Sequence, residues 1–187
     1  MSKKPILIVA GEPYSIFSEI FFKSLKKVNF KRPIVLIASK KIFKQQMKKL
    51  GYRYYFEEID KNLSKKIINK RNVINIIDIK FNFKKTFDKI TDKSNKYIEN
   101  CFFTANNLFN DKKAYALING PISKKNFLKN KYLGITEYLA KMNKIKNFAM
   151  LIYNKNFSVS PITTHIPIKK VSSQISKKKN YKSSKFN

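Results

Sequence analysis

The sequence predicts an α/β fold, a largely parallel sheet flanked by helices, and three observations carry that expectation. First, Pro5–Ala10 (PILIVA) and Pro33–Ala38 (PIVLIA) are short, unbroken apolar runs, the pattern of strands covered on both faces. Second, each run is followed by a stretch whose apolar residues recur at helical spacing. Third, a later run, Ala116-Leu117-Ile118, stops at Asn119-Gly120-Pro121, where Gly admits positive φ and Pro has no N–H, so the chain must turn. Alternating strand and helix is the signature of a parallel sheet with helical covers.

Taken in order, the first strand closes at Gly11-Glu12-Pro13, and Phe17, Ile20, Phe21, Leu25 and Val28 then form one helical face. After the second strand Ser39 can cap a helix carrying Ile42, Phe43 and Met47, which ends at Leu50-Gly51. Signals between Tyr52 and Lys70 are mixed, with a short strand expected over Tyr54–Ile59, and Val73–Ile79 reads as another strand. Asp92–Asn110 is the clearest helix, with Ile98, Cys101, Phe102, Ala105, Leu108 and Phe109 as its stripe. Beyond the Gly-Pro corner, Ser123 can cap a helix start containing Phe127 and Leu128, and Gly134 breaks the chain before another helical face of Ile135, Leu139 and Met142. Phe148–Tyr153 and Phe157–Ile162 read as two strands joined by a turn at Asn154-Lys155-Asn156. These elements make one α/β domain over residues 1–175, and the polar, Lys-rich stretch 176–187 reads as a disordered basic tail.

A chain of 187 residues that is 43% apolar, with 16 Phe and 10 Tyr in place of Trp, can bury a core of ordinary domain size. Its formal net charge of +30, from 41 basic and 11 acidic residues, would ordinarily point to nucleic acid or an anionic membrane. Nearly all of that charge is Lys, with Arg only at 32, 53 and 71, and Lys, Asn, Ile and Phe share A/T-rich codons. Biased mutation therefore accounts for the charge better than selection for a polyanion does, leaving phosphorylated substrates favoured and DNA bound non-specifically at low salt. A single cysteine, Cys101, excludes an intramolecular disulfide and fits a reducing compartment. No stretch reaches membrane-spanning length, so the expectation is a cytoplasmic protein without a membrane partner.

Four segments together resemble a known family. They are Gly11-Glu12-Pro13-Tyr14-Ser15-Ile16-Phe17-Ser18-Glu19, Asn119-Gly120-Pro121-Ile122-Ser123-Lys124, Gly134-Ile135-Thr136-Glu137-Tyr138-Leu139-Ala140 and Thr163-Thr164-His165-Ile166-Pro167-Ile168. In order and spacing they are similar to the GEPAGIGPE-like, TGP(I/V)SK, GHTE(F/Y)LA and TTH(I/V)PL segments of the 4-hydroxythreonine-4-phosphate dehydrogenases, the NAD-dependent enzymes of pyridoxine phosphate (vitamin B6) synthesis. The resemblance runs from about Ile6 to Ile175 and covers about the first half of a typical member, so the fold it implies is a truncated isocitrate/isopropylmalate-dehydrogenase-like one.

The activity implied by the resemblance is oxidation of 4-phosphooxy-L-threonine to 2-amino-3-oxo-4-phosphooxybutanoate, which decarboxylates to 3-amino-2-oxopropyl phosphate. The implied cofactors are NAD and a divalent cation (Zn, Mg or Co), and the implied assembly is a homodimer acting on a small phosphorylated substrate. His165, the one histidine, matches the family's first metal-binding histidine, although a lone histidine by itself is usually structural. A metal site needs about three or more protein ligands, yet there is no other His and no Asp or Glu after Glu137. Thr136 matches the substrate-binding threonine; a plain helix N-cap is the alternative. The histidine that precedes it in the family is Ile135 here, and two glycines of the first motif are Ser15 and Phe17. Glu12 reads as a solvated turn carboxylate or a functional one, and Lys124 as an anion contact or a surface lysine. Glycines at 11, 51, 120 and 134 are too scattered for a dinucleotide fingerprint, so NAD rests on resemblance. Two rivals stay open: a catalytically inactive or truncated homologue of this fold, and a basic nucleic-acid-binding protein.

Overall fold

The computed structural model describes residues 3–129, 131–163 and 166–175. The expected tail, 176–187, and His165 lie outside the described residues. The chain forms two compact units, Met1–Phe127 and Leu128–Asn187.

The first unit is built on a five-stranded sheet in which every pairing is parallel. Strands β1 (Ile6–Val9), β2 (Ile34–Ala38), β3 (Tyr55–Glu58), β4 (Val73–Asp78) and β5 (Ala116–Asn119) lie in the order β3-β4-β2-β1-β5. Helices α1 (Phe17–Lys27), α2 (Lys40–Lys49) and α3 (Asn95–Asn110) connect them, the last entered through a 3₁₀ turn at Asp92–Ser94. Because successive strand residues face opposite sides, Ile8, Leu36, Ala38, Ile74 and Ile76 meet the rings of Phe17, Phe21, Phe22 and Phe43 from α1 and α2. Leu7, Val9, Val35, Ile37 and Ile77 supply the buried opposite face, and α3 packs on β1 and β2 through Ile98, Cys101, Phe102, Ala105 and Leu108.

All five strands and the three helices of this unit fall where the sequence places them; the differences concern faces and caps. On α1 the buried face is Phe17, Ser18, Phe21 and Phe22, with Ile20 and Val28 exposed. The apolar face is thus turned by about one residue, because two adjacent phenylalanines fill the space under α2. Phe109, expected on the α3 stripe, is 45% exposed. A helix of 16 residues is about 24 Å long and runs past strands of four to six residues. Ser39 occupies the N-cap position of α2 without a side-chain cap bond. The donor is satisfied instead by Asp78 at the end of β4, whose Oδ1 accepts from the Lys40 N–H at 2.8 Å. At its other end α2 closes as expected on Gly51 (φ +75°), with Tyr52 N–H donating to Met47 O at 3.0 Å and Gly51 N–H to Lys48 O at 3.2 Å, a Schellman ending.

In the second unit α4 spans Ile135–Met142 and a single turn, α5, Val171–Gln174. The two strands expected over 148–162 reduce to one antiparallel bridge, Ile152 with Val159. The turn between them is present, with Asn156 N–H donating to Asn154 Oδ1 at 3.0 Å. Tyr153 and Phe157 are 75% and 74% exposed, and an uncovered two-stranded hairpin gains too little burial to extend its ladder.

Cys101 is fully buried and its thiol is pushed up to about 12, chiefly by burial. It should therefore stay unmodified by a thiol-specific disulfide reagent in the native protein and react stoichiometrically in denaturant; rapid native labelling would contradict this packing.

Candidate functional site

The strand order reverses beside β1: β2 and β4 lie on one side of it and β5 on the other. Such a switch point opens a crevice at the carboxyl ends of the two strands, here where Gly11-Glu12-Pro13 leaves β1 and Gly120-Pro121 leaves β5. The two loops touch through backbone. Gly120 N–H donates to Val9 O at 2.7 Å, and Glu12 N–H donates to Pro121 O at 2.9 Å. Gly11 adopts φ +74°, and a Cβ on it would stand 2.3 Å from Pro121 O. A Cβ on Gly120 would stand 2.2 Å from Ala10 O and 2.7 Å from the Phe17 ring. Both glycines are required by close approach, a constraint the motif shows only as two letters.

Glu12 is the main correction at this site. Its side chain is buried, not solvated. One carboxylate oxygen accepts from Ser94 Oγ at 2.8 Å, and the other lies 3.5 Å from the Tyr14 N–H. Burial raises its carboxyl above the ordinary value, while the Ser94 and Tyr14 bonds pull the other way. A raised folded-state value means that the folded protein holds this proton more tightly than the unfolded chain. Stability from this group is then complete below the unfolded value and is lost as pH rises through the folded one. Glu12→Gln keeps an acceptor for Ser94, so its melting temperature should gain on wild type between about pH 4 and about pH 8; a constant difference across that range would count against a buried titrating carboxyl.

The departures from the first motif also find their reasons. Ser15 donates from Oγ to Glu12 O at 2.7 Å and accepts the Phe17 N–H at 3.3 Å, closing the turn into α1. Neither Ser15 nor Phe17 has positive φ, so neither position demands glycine in this chain. Phe17 is buried against Gly120 and forms part of the core. Gln46 of α2 holds the same loop from beneath, its Nε2 donating to Pro13 O at 2.7 Å and to Thr86 O at 3.2 Å. Ser94, Thr86 and Gln46 leave no local pattern, because each bonds to a partner 33 or more positions away.

After the corner, Ser123 accepts the Asn126 N–H at 3.2 Å and starts a π turn, Lys124–Leu128, rather than a full α-helix. Lys124 is exposed there. Thr136 belongs to the second unit, half-buried in the first turn of α4. The N-cap is Gly134, so Thr136 is not the capping residue. Tyr132 and Tyr138 meet edge to face at 5.5 Å and brace the entry to that helix. His165 lies outside the described residues, and among the described residues no group of three or more His, Cys, Asp or Glu could hold a metal ion. Among them, too, no helix is long and apolar enough to cross a membrane.

Comparison with known proteins agrees with this architecture. The chain is 36% identical over 178 residues to a 4-hydroxythreonine-4-phosphate dehydrogenase of Sulfurihydrogenibium sp. (strain YO3AOP1), covering 93% of this chain and 53% of that protein. It is 28% identical over 170 residues to the protein of the same name from Wigglesworthia glossinidia brevipalpis, covering 89% and 50%. The chain thus spans about half the length of these curated relatives. A crystal structure of a 4-hydroxythreonine-4-phosphate dehydrogenase from Burkholderia phymatum superposes with a TM-score of 0.84 at 20% identity, covering 99% of this chain and 57% of that one. The corresponding structure from Klebsiella pneumoniae gives 0.80 at 22% identity, covering 97% and 57%; at these identities the likeness shows the fold. The family model for the pyridoxal phosphate biosynthetic protein PdxA matches residues 29–186, which take in the Gly-Pro corner, Thr136 and His165. On that match the chain belongs to the PdxA family of pyridoxal phosphate biosynthetic proteins.

Proposed function

We propose that this chain supplies the amino-terminal half of a 4-hydroxythreonine-4-phosphate dehydrogenase. The reaction is the NAD-dependent oxidation of 4-phosphooxy-L-threonine to 2-amino-3-oxo-4-phosphooxybutanoate, followed by loss of carbon dioxide to give 3-amino-2-oxopropyl phosphate. The observation that carries this reading is the family match over 29–186, joined to a switch-point crevice whose two glycines are held by backbone contact. Thr136, in the first turn of α4, is the proposed substrate contact, its hydroxyl suited to the phosphate or a neighbouring polar group. His165 is the proposed metal ligand, and a bound divalent cation would polarise the alcohol being oxidised.

The described residues do not themselves fit a divalent metal site, since they hold no cluster of three or more donors. With one histidine and no carboxylate after Glu137, completion of the site would need earlier carboxylates of this chain or another polypeptide. Assembly as a homodimer in the cytoplasm follows the same family reading.

A second reading, a non-catalytic member of the family, is favoured by Ile135 standing where the family carries histidine and by Ser15 and Phe17 at two glycine positions of the first motif. A coupled assay with 4-phosphooxy-L-threonine, NAD and divalent metal separates the two. The isolated chain should show no turnover, and addition of a polypeptide carrying the remaining half of the family fold should restore it. Restored turnover that His165→Ala abolishes supports the dehydrogenase reading. No turnover in the restored enzyme supports the inactive one.

A further inference from the structure

We propose that the amino ends of the sheet strands carry a second site, which binds a compact oligophosphate. Lys3, Lys4, Lys31, Lys65, Lys66 and Lys113 line one cleft of ≈ 740 Å³, to which no Asp or Glu side chain among the described residues contributes. Pro5 and Pro33, the residues immediately before β1 and β2, form part of its wall. All strands are parallel, so this cleft lies at the opposite end of the sheet from the Gly11 and Gly120 corner. Strands of four to six residues separate the two ends by about 13–20 Å.

Two features make this more than the general basicity of the chain. Lys113 pairs with Asp111 at 3.7 Å, but among the described residues the other five lysines form no ion pair. Lys65 also acts at longer range on Glu58 of β3, which leaves Lys3, Lys4, Lys31 and Lys66 open to an anion from solvent. The loop that presents Lys65 and Lys66 is held in place, since the Asp60 carboxylate accepts the N–H groups of Asn62, Ser64 and Lys65 at 3.0, 3.1 and 2.9 Å. Those three bonds hold the Asp60 carboxyl far below the usual carboxylate range, so it stays an anchor at any physiological pH.

The lining also selects the ligand class. Lysine ammonium groups act as point charges suited to phosphate oxygens, and the volume is that of a small-molecule site. Among the described residues no aromatic side chain lines the cleft, so they offer no stacking platform of the kind on which single-stranded nucleic acid is ordinarily held. A short chain of phosphates fits; a polymer read through its bases does not.

Inorganic tripolyphosphate titrated calorimetrically into the full chain at about 0.15 M salt tests the proposal. Binding is expected at that ionic strength, and Lys31→Gln/Lys65→Gln/Lys66→Gln should weaken it about 10-fold or more. Lys84→Gln/Lys85→Gln/Lys89→Gln removes the same charge from the exposed loop after β4 and should change it less than about twofold. Equal weakening by both variants would reduce the effect to net charge and overturn the site, as would absence of binding at about 0.15 M salt. A mixed-sequence single-stranded RNA that bound more tightly than tripolyphosphate and was weakened by the cleft variant would likewise overturn the oligophosphate assignment. If the triple cleft variant fails to fold, the single changes Lys31→Gln and Lys66→Gln, each expected to weaken binding about threefold, carry the same decision. Dehydrogenase turnover takes no part in these readouts.

Discussion

Gly120→Ala should destabilise the protein by about 3 kcal/mol, the upper range for forcing extra volume into packed structure. The new methyl would lie 2.2 Å from Ala10 O and 2.7 Å from the Phe17 ring. Neither obstacle is a flexible side-chain end: one is the backbone of β1 and the other a ring held in the core. Relief requires β5 and β1 to part at the candidate crevice, so the corner would move along with the loss of stability. Urea unfolding followed by far-UV circular dichroism should show the midpoint fall by about 1.5 M. Gly51→Ala is the matched control. Gly51 has φ +75° but open space around its Cβ position, so only backbone conformation is disturbed, at a cost of about 1 kcal/mol. A Gly120→Ala protein as stable as Gly51→Ala would show that the close approach between the two loops is not real.

Phe22→Ala is expected to cost about 3–5 kcal/mol, the range for removing a buried ring. The Phe22 ring centroid lies 5.1 Å from that of Phe43 and 5.2 Å from that of Tyr52, and Phe21 and Tyr54 stand at 5.8 and 5.9 Å. The side chain is fully buried, and its four aromatic neighbours are too rigid to collapse into the gap. Against a typical domain stability of about 5–15 kcal/mol, this one change brings the fold close to failure. Phe109→Ala, which removes the same ring from the half-exposed end of α3, should fall within about 0.5 kcal/mol of wild type. Thermal melts of both variants decide the matter, and a large loss in Phe109→Ala would mean that this ring is covered in solution.

These two pairs also mark where local pattern suffices. Phe22 and Phe109 are chemically identical residues in apolar helical stretches, and periodicity alone gave the stripe on α3 to Phe109. Helix length against strand length excluded it, and that comparison needs the elements to be assembled. The same holds for the face of α1, which is turned by about one residue from the expected one because α2 sets where the rings must go.

In the first unit, strands, helices and their alternation were legible by themselves. A doubly covered parallel strand has to be a short, continuous apolar run, and a helix on a sheet has to repeat its apolar residues near 3.6. The Gly51 helix ending was legible for the same reason, since left-handed backbone selects glycine locally. The family segments were legible as well. Strand order, however, is settled by packing across the sheet. With it came the switch point beside β1, the mutual contact of Gly11 and Gly120, and the burial of Glu12 under Ser94, 82 positions away. The lysine cleft belongs to the same class. Its six cations lie between positions 3 and 113, and in a chain so rich in lysine nothing marks them out until parallel pairing gathers the strand amino ends. Local chemistry writes itself into neighbouring letters, whereas burial and convergence depend on which distant segments share one surface.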